Sequence, residues 1–373
     1  MKVQASSLKH DSRSQSSVAR GELIAQLLAG SWRGGEPLPA LSAQELDSIA
    51  RPLMRSGAGA LAWWRIRESC LRATAVAEQF QQAYRLQSLQ AMLHERNLKR
   101  VIPLLGSHAV KPVLVKGWAI ARHYPETGLR PYTDLDLCVL PDQYALASAA
   151  LKDPAAQSCN VDLHRGFDKF YDLQADDIFE RSQLVKLDDL EVRVLSAEDH
   201  LRLLCMHLLR HGAVRPIWLY DIAVLLETRT DNFDWDRCLG RSRQQADWVA
   251  CALGLAHQLL RADVEGTPVA RRAKKLPRWL APTVLKEWGT PLHSLGQIAV
   301  YLKHPVRVIR GLIEELPHHW PNPIEATMTL KGPFNELPRL PFQVGHVFSR
   351  AAAMLAQLSR TDRIGSSQEL IRD

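Results

Sequence analysis

The chain has 373 residues, 46% of them hydrophobic and 23% charged, enough for two or three units with buried cores; it is not collagen-like, wholly disordered or a coiled coil. Lys and Arg number 47 against 40 Asp and Glu, a net charge of +7 that permits an anionic ligand without demanding nucleic acid. The six cysteines form no C-x-x-C pair, which argues against a zinc ribbon or thioredoxin motif and reads as reduced thiols in the cytoplasm, and no apolar run approaches the roughly 18–20 residues that span a bilayer.

Residues 1–17 hold six Ser and lack the apolar stretch of a signal peptide, and they read as a disordered tail. Residues 18–105 read as a helical region. Helical spacing opens at Val18–Leu28, and Ser42 with Glu45 three residues on is a capping box. From about Ala60 to Leu105 the chain is rich in Ala, Gln, Leu, Glu and Arg, a long helical stretch.

The pattern changes over residues 106–195. Pro112-Val113-Leu114-Val115 is a short strand that stops at Lys116-Gly117, and a turn-rich segment runs from Tyr124 to Thr133. Asp134 to Leu140 alternates polar and apolar at its start, as a strand does, and a helix follows over Asp142–Leu151. Val161-Asp162-Leu163-His164 and Leu190 to Leu195 are two further strands. Residues 196–265 read as helices packed on this core: one from the cap at Ser196 to a stop at Gly212, one over Pro216–Glu227, and one from about Asp234 to Ala262. Residues 266–373 form a basic, Pro-rich region. It carries the cluster Arg271, Arg272, Lys274, Lys275 and Arg278, an irregular connection with six Pro over residues 316–341, and a last helix with Val344, Val347, Phe348, Ala351, Leu355 and Leu358 on one face.

Three acidic residues stand in strand contexts. Side chains two apart on a strand share a face, so Asp134 and Asp136 project together, and Asp162 joins them if the two strands pair. Carboxylates that close repel one another, and a divalent cation relieves the repulsion. Mg2+ suits such a set because it leaves positions for water and substrate phosphates. Two-metal phosphoryl or nucleotidyl transfer uses the same ligands. A D-x-D pair by itself also fits a solvated strand end. Gly117 ends a strand where backbone can approach a phosphate, and Lys116 and Arg130 are cations able to meet a triphosphate. Lys116 equally fits a surface position, and Arg130 an ion pair with Asp134 or Asp136.

The ordered string Val115-Lys116-Gly117, Tyr124, Gly128-Leu129-Arg130-Pro131 and Asp134-Leu135-Asp136-Leu137 resembles the uncharacterised bacterial nucleotidyltransferase family of the polymerase-β-like superfamily. Val161-Asp162-Leu163-His164 resembles its third-carboxylate strand, and Leu195 to Leu201, Cys205 to His211 and Trp218 to Ile222 resemble its following helices. The resemblance implies an α+β fold, a small mixed sheet flanked by N-terminal and C-terminal helical regions. It implies Mg2+ or Mn2+ and a nucleoside triphosphate such as ATP. Asp134 and Asp136 would bind both metals, Asp162 would bind the acceptor-side metal and help deprotonate the attacking hydroxyl, and pyrophosphate would leave in line.

Two positions depart from that pattern. The superfamily usually has Gly-Gly or Gly-Ser after its first strand, whereas Trp118 follows Gly117 here and reads as a helix residue packed on the sheet. The 21 residues between Val139 and Val161 suggest a trimmed hairpin.

His164 shares a strand face with Asp162 and could contact a phosphate or the acceptor, or orient a carboxylate. His207 and His211 are i, i+4, but no Glu follows His207 as in H-E-x-x-H, so helix packing or capping is read for both. Asp221 reads as bonded to a His or Arg across a helix pair, and the basic cluster as a solvated linker that could also hold RNA or DNA phosphate. The expectation is a nucleotidyltransferase acting on an unidentified small molecule, protein or RNA. The alternative is an inactive nucleotide-binding or partner-binding protein on the same fold.

Overall fold

The computed structural model describes residues 2–167, 175–290 and 320–352. The chain divides into two units, one of residues 1–208 and 213–292 and a smaller one of residues 209–212 and 293–373.

The larger unit opens with helix α1 (Lys2–Leu28). It reaches back through the Ser-rich stretch that composition reads as disordered. No Gly or Pro interrupts residues 2–20, so a helix fixed by the buried Ile24, Leu27 and Leu28 can propagate backwards. Helix α2 (Ala43–Ser56) starts at the expected capping box: Ser42 Oγ accepts from Glu45 N, and the Glu45 carboxylate accepts from Ser42 N at 2.8 Å. The long stretch after Ala60 is not one helix. It breaks into α3 (Gly59–Ile66), a 3-10 turn at Cys70–Ala73 and α4 (Ala75–Ser107). The break is written in two hydroxyl caps, Ser69 Oγ accepting from Leu71 N and Thr74 Oγ1 from Ala77 N.

Five strands form one mixed sheet, β1 (Val113–Leu114), β2 (Leu135–Val139), β3 (Val161–Arg165), β4 (Gln183–Leu187) and β5 (Leu190–Val194), in the order β3-β2-β1-β5-β4. β1 is antiparallel to β2 and parallel to β5, and β2 is parallel to β3. Parallel strands cannot be joined by a hairpin. The connection of β2 to β3 is therefore a helical crossover, made by α6 (Tyr144–Ala150) and α7 (Pro154–Gln157), and the trimmed hairpin is corrected. β4 is a strand the sequence reading omits. It pairs with β5 across a turn in which Asp188 has φ 52.

Alternation along the strands separates two faces. Leu114, Leu135, Leu137, Val139, Val192 and Val194 pack with Leu98, Val101 and Leu105 of α4 and with Trp118 and Ala119 of the short helix α5 (Trp118–Ala121). Val113, Val115, Cys138 and Leu195 pack on the other face with Phe167, Ile178 of α8 (Ala175–Arg181) and Leu203 of α9 (Ala197–Arg210). Asp136 lies on this second face, two residues before Cys138.

Helix α10 (Pro216–Glu227) runs as expected, whereas the helix expected from Asp234 to Ala262 is interrupted. It forms α11 (Trp235–Leu239) and α12 (Arg243–Leu260), the latter capped by Ser242. After a short helical turn at Ala270–Ala273, α14 (Leu280–Gly289; the turn counts as α13) packs along α1. A Cβ on Gly21 would stand 2.0 Å from Leu285 O, and one on Gly289 would stand 1.8 Å from Ser17 O, so the two backbones meet where side chains are missing. In the smaller unit, the Pro-rich connection contains the helix Pro323–Thr329, with Asn322 as its cap and Pro323 where the missing N–H costs nothing. A further helix covers 340–352; Leu355 and Leu358 lie outside the described residues.

The observed architecture is the α+β class expected, a small mixed sheet flanked by helices.

Candidate functional site

β2 and β3 position the acids by register. Asp136 is the direct partner of Asp162, and Cys138 that of His164. Parallel neighbours in register point to the same side, so Asp136, Asp162 and His164 emerge together on the face opposite α4. One ligand atom from each of the three lies within 4.8 Å of the others, the grouping of His, Cys, Asp and Glu close enough to hold an ion among the described residues. Nε2 of His164 is 3.2 Å from Oδ1 of Asp136 and 3.2 Å from Oδ2 of Asp162. Lys116 reaches the same Oδ1 of Asp136 with Nζ at 3.3 Å.

The three acids differ in environment. The Asp136 side chain is 10% exposed and that of Asp162 53%. Burial works against the Asp136 charge, but the hydrogen bond with His164 and the Lys116 ammonium outweigh it and bring its carboxyl down to about 2. Asp134, half-buried just ahead of β2, is pushed up, by burial first and then by the charges of Asp136 and Asp162. It thus feels both other acids, although it is not one of the three groups in the close cluster. Such a set, two carboxylates and an imidazole open to solvent on one side with a third carboxylate beside them, can hold a divalent cation and leave positions for a substrate.

Gly117 terminates β1 with φ 58, where a Cβ would meet Tyr132 Cδ2 at 3.1 Å and Asp134 O at 3.6 Å. Glycine is therefore required both by conformation and by the closeness of the loop that carries Asp134. Trp118 is 4% exposed and belongs to the core under α4, the packing role expected of it. The strand end is held from behind by α9: His200, fully buried, donates Nε2–H to Val115 O at 2.9 Å. Burial, then the neighbouring His123, Arg122 and Arg130 charges, bring its pKa down to about 3 against that bond, so it is neutral at ordinary pH.

Arg130 does not reach the acids. Its Nε and Nη2 each donate to Asp221 at 2.8 Å, and Tyr124 OH donates to Asp221 Oδ1 at 2.5 Å. All three groups are buried. An ion pair of Arg130 exists, but its partner is on α10 and not in the site, and Asp221 has an Arg partner as expected, on the extended segment before β2 rather than on a facing helix. The arrangement fastens the segment between α5 and β2, and with it the approach to Asp134. His207 stacks edge-on against Trp218 with ring centroids 4.8 Å apart, which fits the packing read for it. In the basic cluster, Arg272 pairs with Asp247 at 2.6 Å and Lys274 with Glu265. Of the residues that sequence reasoning singles out, the structure brings Asp136, Asp162 and His164 together and leaves Asp134 just outside the cluster. Sequence reasoning missed His200 as the clamp of β1, since only the third dimension brings Val115 to it, 85 positions away.

The described residues contain no helix long and apolar enough to cross a membrane, and none of the six cysteines is in a disulfide. Among known proteins, no curated protein and no solved structure matches the chain. One family model does, described as uncharacterised nucleotidyltransferase, over residues 42–158 and 152–261.

Proposed function

We propose, from the premise that the chain belongs to the uncharacterised nucleotidyltransferase family, that it transfers a nucleoside monophosphate from a nucleoside triphosphate to an acceptor hydroxyl on a polymerase-β-like core. The observation that carries this reading is the register pairing of Asp136 with Asp162, which converges two carboxylates and His164 on one face of the β2–β3 pair. The donor set fits a divalent cation: its ligand atoms are close together, Asp136 is ionised, and Asp134 adds a third carboxylate within electrostatic reach. Bound there, Mg2+ or Mn2+ supplies neutralisation of the phosphate charge and a template for in-line attack.

The protein's own groups do the rest. Asp136 and Asp162, with Asp134, would hold the cation, and through it the α-phosphate would be positioned for attack. Asp162, the most exposed acid, accepts the proton of the acceptor hydroxyl. That oxygen then forms a bond to the α-phosphorus while the bond to the β-phosphate oxygen breaks, and pyrophosphate leaves with the electron pair. With the acids neutralised by a cation, Lys116 would be free to donate from Nζ to a phosphate oxygen, and Gly117 would let that loop approach the phosphates. Arg130, held by Asp221, keeps the loop of Asp134 in place. ATP is the first nucleotide to test; the acceptor is a small molecule, protein or RNA, and the compartment the reducing cytoplasm.

A second reading, nucleotide binding without turnover, is favoured by the burial of Trp118 at the position after Gly117. One experiment separates the two. The purified protein is incubated with α-labelled or γ-labelled nucleotides, Mg2+ or Mn2+ and a cell extract as acceptor pool. Transfer of the α-label but not the γ-label, lost in Asp136→Asn, supports transfer. Nucleotide binding with no product from any nucleotide supports the second reading, and product undiminished in folded Asp136→Asn contradicts the first.

A further inference from the structure

His164 is the unusual member of the donor set. It stands two residues after Asp162 on β3, so the strand itself aims its ring at the face occupied by the two carboxylates. Its Nε2 is equally far, 3.2 Å, from an oxygen of Asp136 and an oxygen of Asp162. Two adjacent ligands each about 2.1 Å from an octahedral ion stand about 3.0 Å apart. The observed separations, hydrogen-bond contacts in this structure, lie close to that ligand spacing, so an ion can enter with little movement of the three groups. The same Nε2 that bonds to Asp136 here would turn a lone pair on the shared point when neutral. The ring is also accessible, with 23% of the side chain exposed beside the half-exposed Asp162.

Resting on the cation site proposed above, and going beyond it, we propose that His164 Nε2 is itself a ligand of the ion held by Asp136 and Asp162, and that this nitrogen makes the site one for a first-row transition cation, with Mn2+ preferred to Mg2+. The reason is ligand chemistry. Mg2+ is a hard ion that takes oxygen donors and gives up water reluctantly, whereas imidazole nitrogen favours the transition series. An all-carboxylate site has no such bias. Lys116, at 3.3 Å from the same Asp136 oxygen, is the group that the ion displaces.

The test is direct binding, without turnover. Free Mn2+ is titrated into the full-length protein and followed by electron paramagnetic resonance, and Mg2+ is then added as competitor. Nuclear modulation of the bound Mn2+ signal reads the nitrogen, with 15N-histidine protein to identify it. The wild type is expected to show a histidine nitrogen coupled to Mn2+. His164→Asp, which restores an all-oxygen set, is expected to bind Mn2+ without that coupling and to lose about tenfold or more of its preference for Mn2+ over Mg2+. Asp136→Asn is expected to lose the coupling together with affinity, which ties it to this site among the 14 histidines of the chain. Mn2+ bound by the wild type with no nitrogen coupling, or with coupling that survives His164→Asp, overturns the ligand while leaving the cation site standing. A folded wild type that binds no Mn2+ at millimolar concentration overturns both.

Discussion

At the scale of single residues, the site stores repulsion. Asp134 is held up by burial and by the charges of Asp136 and Asp162, so its ionised form opposes folding. Asp134→Asn removes that opposition. It is expected to raise the thermal midpoint of the metal-free protein while abolishing nucleotidyl transfer, the two measured by calorimetry and by product labelling; a lowered midpoint would show that the negative charge is stabilising. The opposite holds for Asp221. Its loss leaves the buried Arg130 guanidinium unpaired, and Asp221→Asn is expected to cost about 3–5 kcal/mol in a denaturant titration. A change below about 1 kcal/mol would mean that the ion pair is not structural. The contrast marks what a sequence can carry. Asp136 and Asp162 are legible as strand residues because alternation is local, whereas Asp134, read into the same strand, lies just ahead of it. The partner of Arg130 is not legible, because it is 91 positions away on α10, and a cation near two acids in sequence suggests the wrong pairing.

At the scale of elements, caps and close approaches decide. The strands that hold the acids are read from β-branched, alternating segments. β4 is missed because Leu184 faces solvent and blurs its alternation. Helix ends are set by single hydroxyls, Ser69, Thr74 and Ser242, inside stretches whose average composition is helical throughout. The pairing of α1 with α14 depends on absent side chains, so Gly21→Ala is expected to destabilise by about 1–3 kcal/mol, since the clash is with backbone that cannot swing aside. Retention of full stability there would contradict the helix contact. The clamp from α9 to β1 titrates. His200 has its pKa at about 3 in the fold, against about 6.5 when unfolded. Between those values the unfolded chain binds a proton that the folded chain does not, so stability rises with pH through the window and falls as pH drops below about 6.5. His200→Gln is expected to flatten that acid limb, as measured by thermal midpoints from pH 4 to 7; an unchanged slope would assign the acid sensitivity elsewhere.

At the scale of the whole molecule, charge permits an anionic substrate without demanding a polyanion. The net charge of +7 is modest for 373 residues, and two of the cations in the basic cluster already have acidic partners. What the sequence could not supply is the topology. A parallel β2–β3 pair joined by a helical crossover looks, in linear order, much like a short hairpin, yet only the parallel register puts Asp136 directly beside Asp162. These two residues, with His164, are proposed to surround a single cation. Anomalous diffraction from a crystal soaked in Mn2+ and a non-hydrolysable triphosphate tests this arrangement most directly. A peak is expected within about 2.3 Å of a carboxylate oxygen of Asp136 and one of Asp162, with the triphosphate alongside. A nucleotide bound elsewhere, or a triphosphate in place with no ion between β2 and β3, would contradict it.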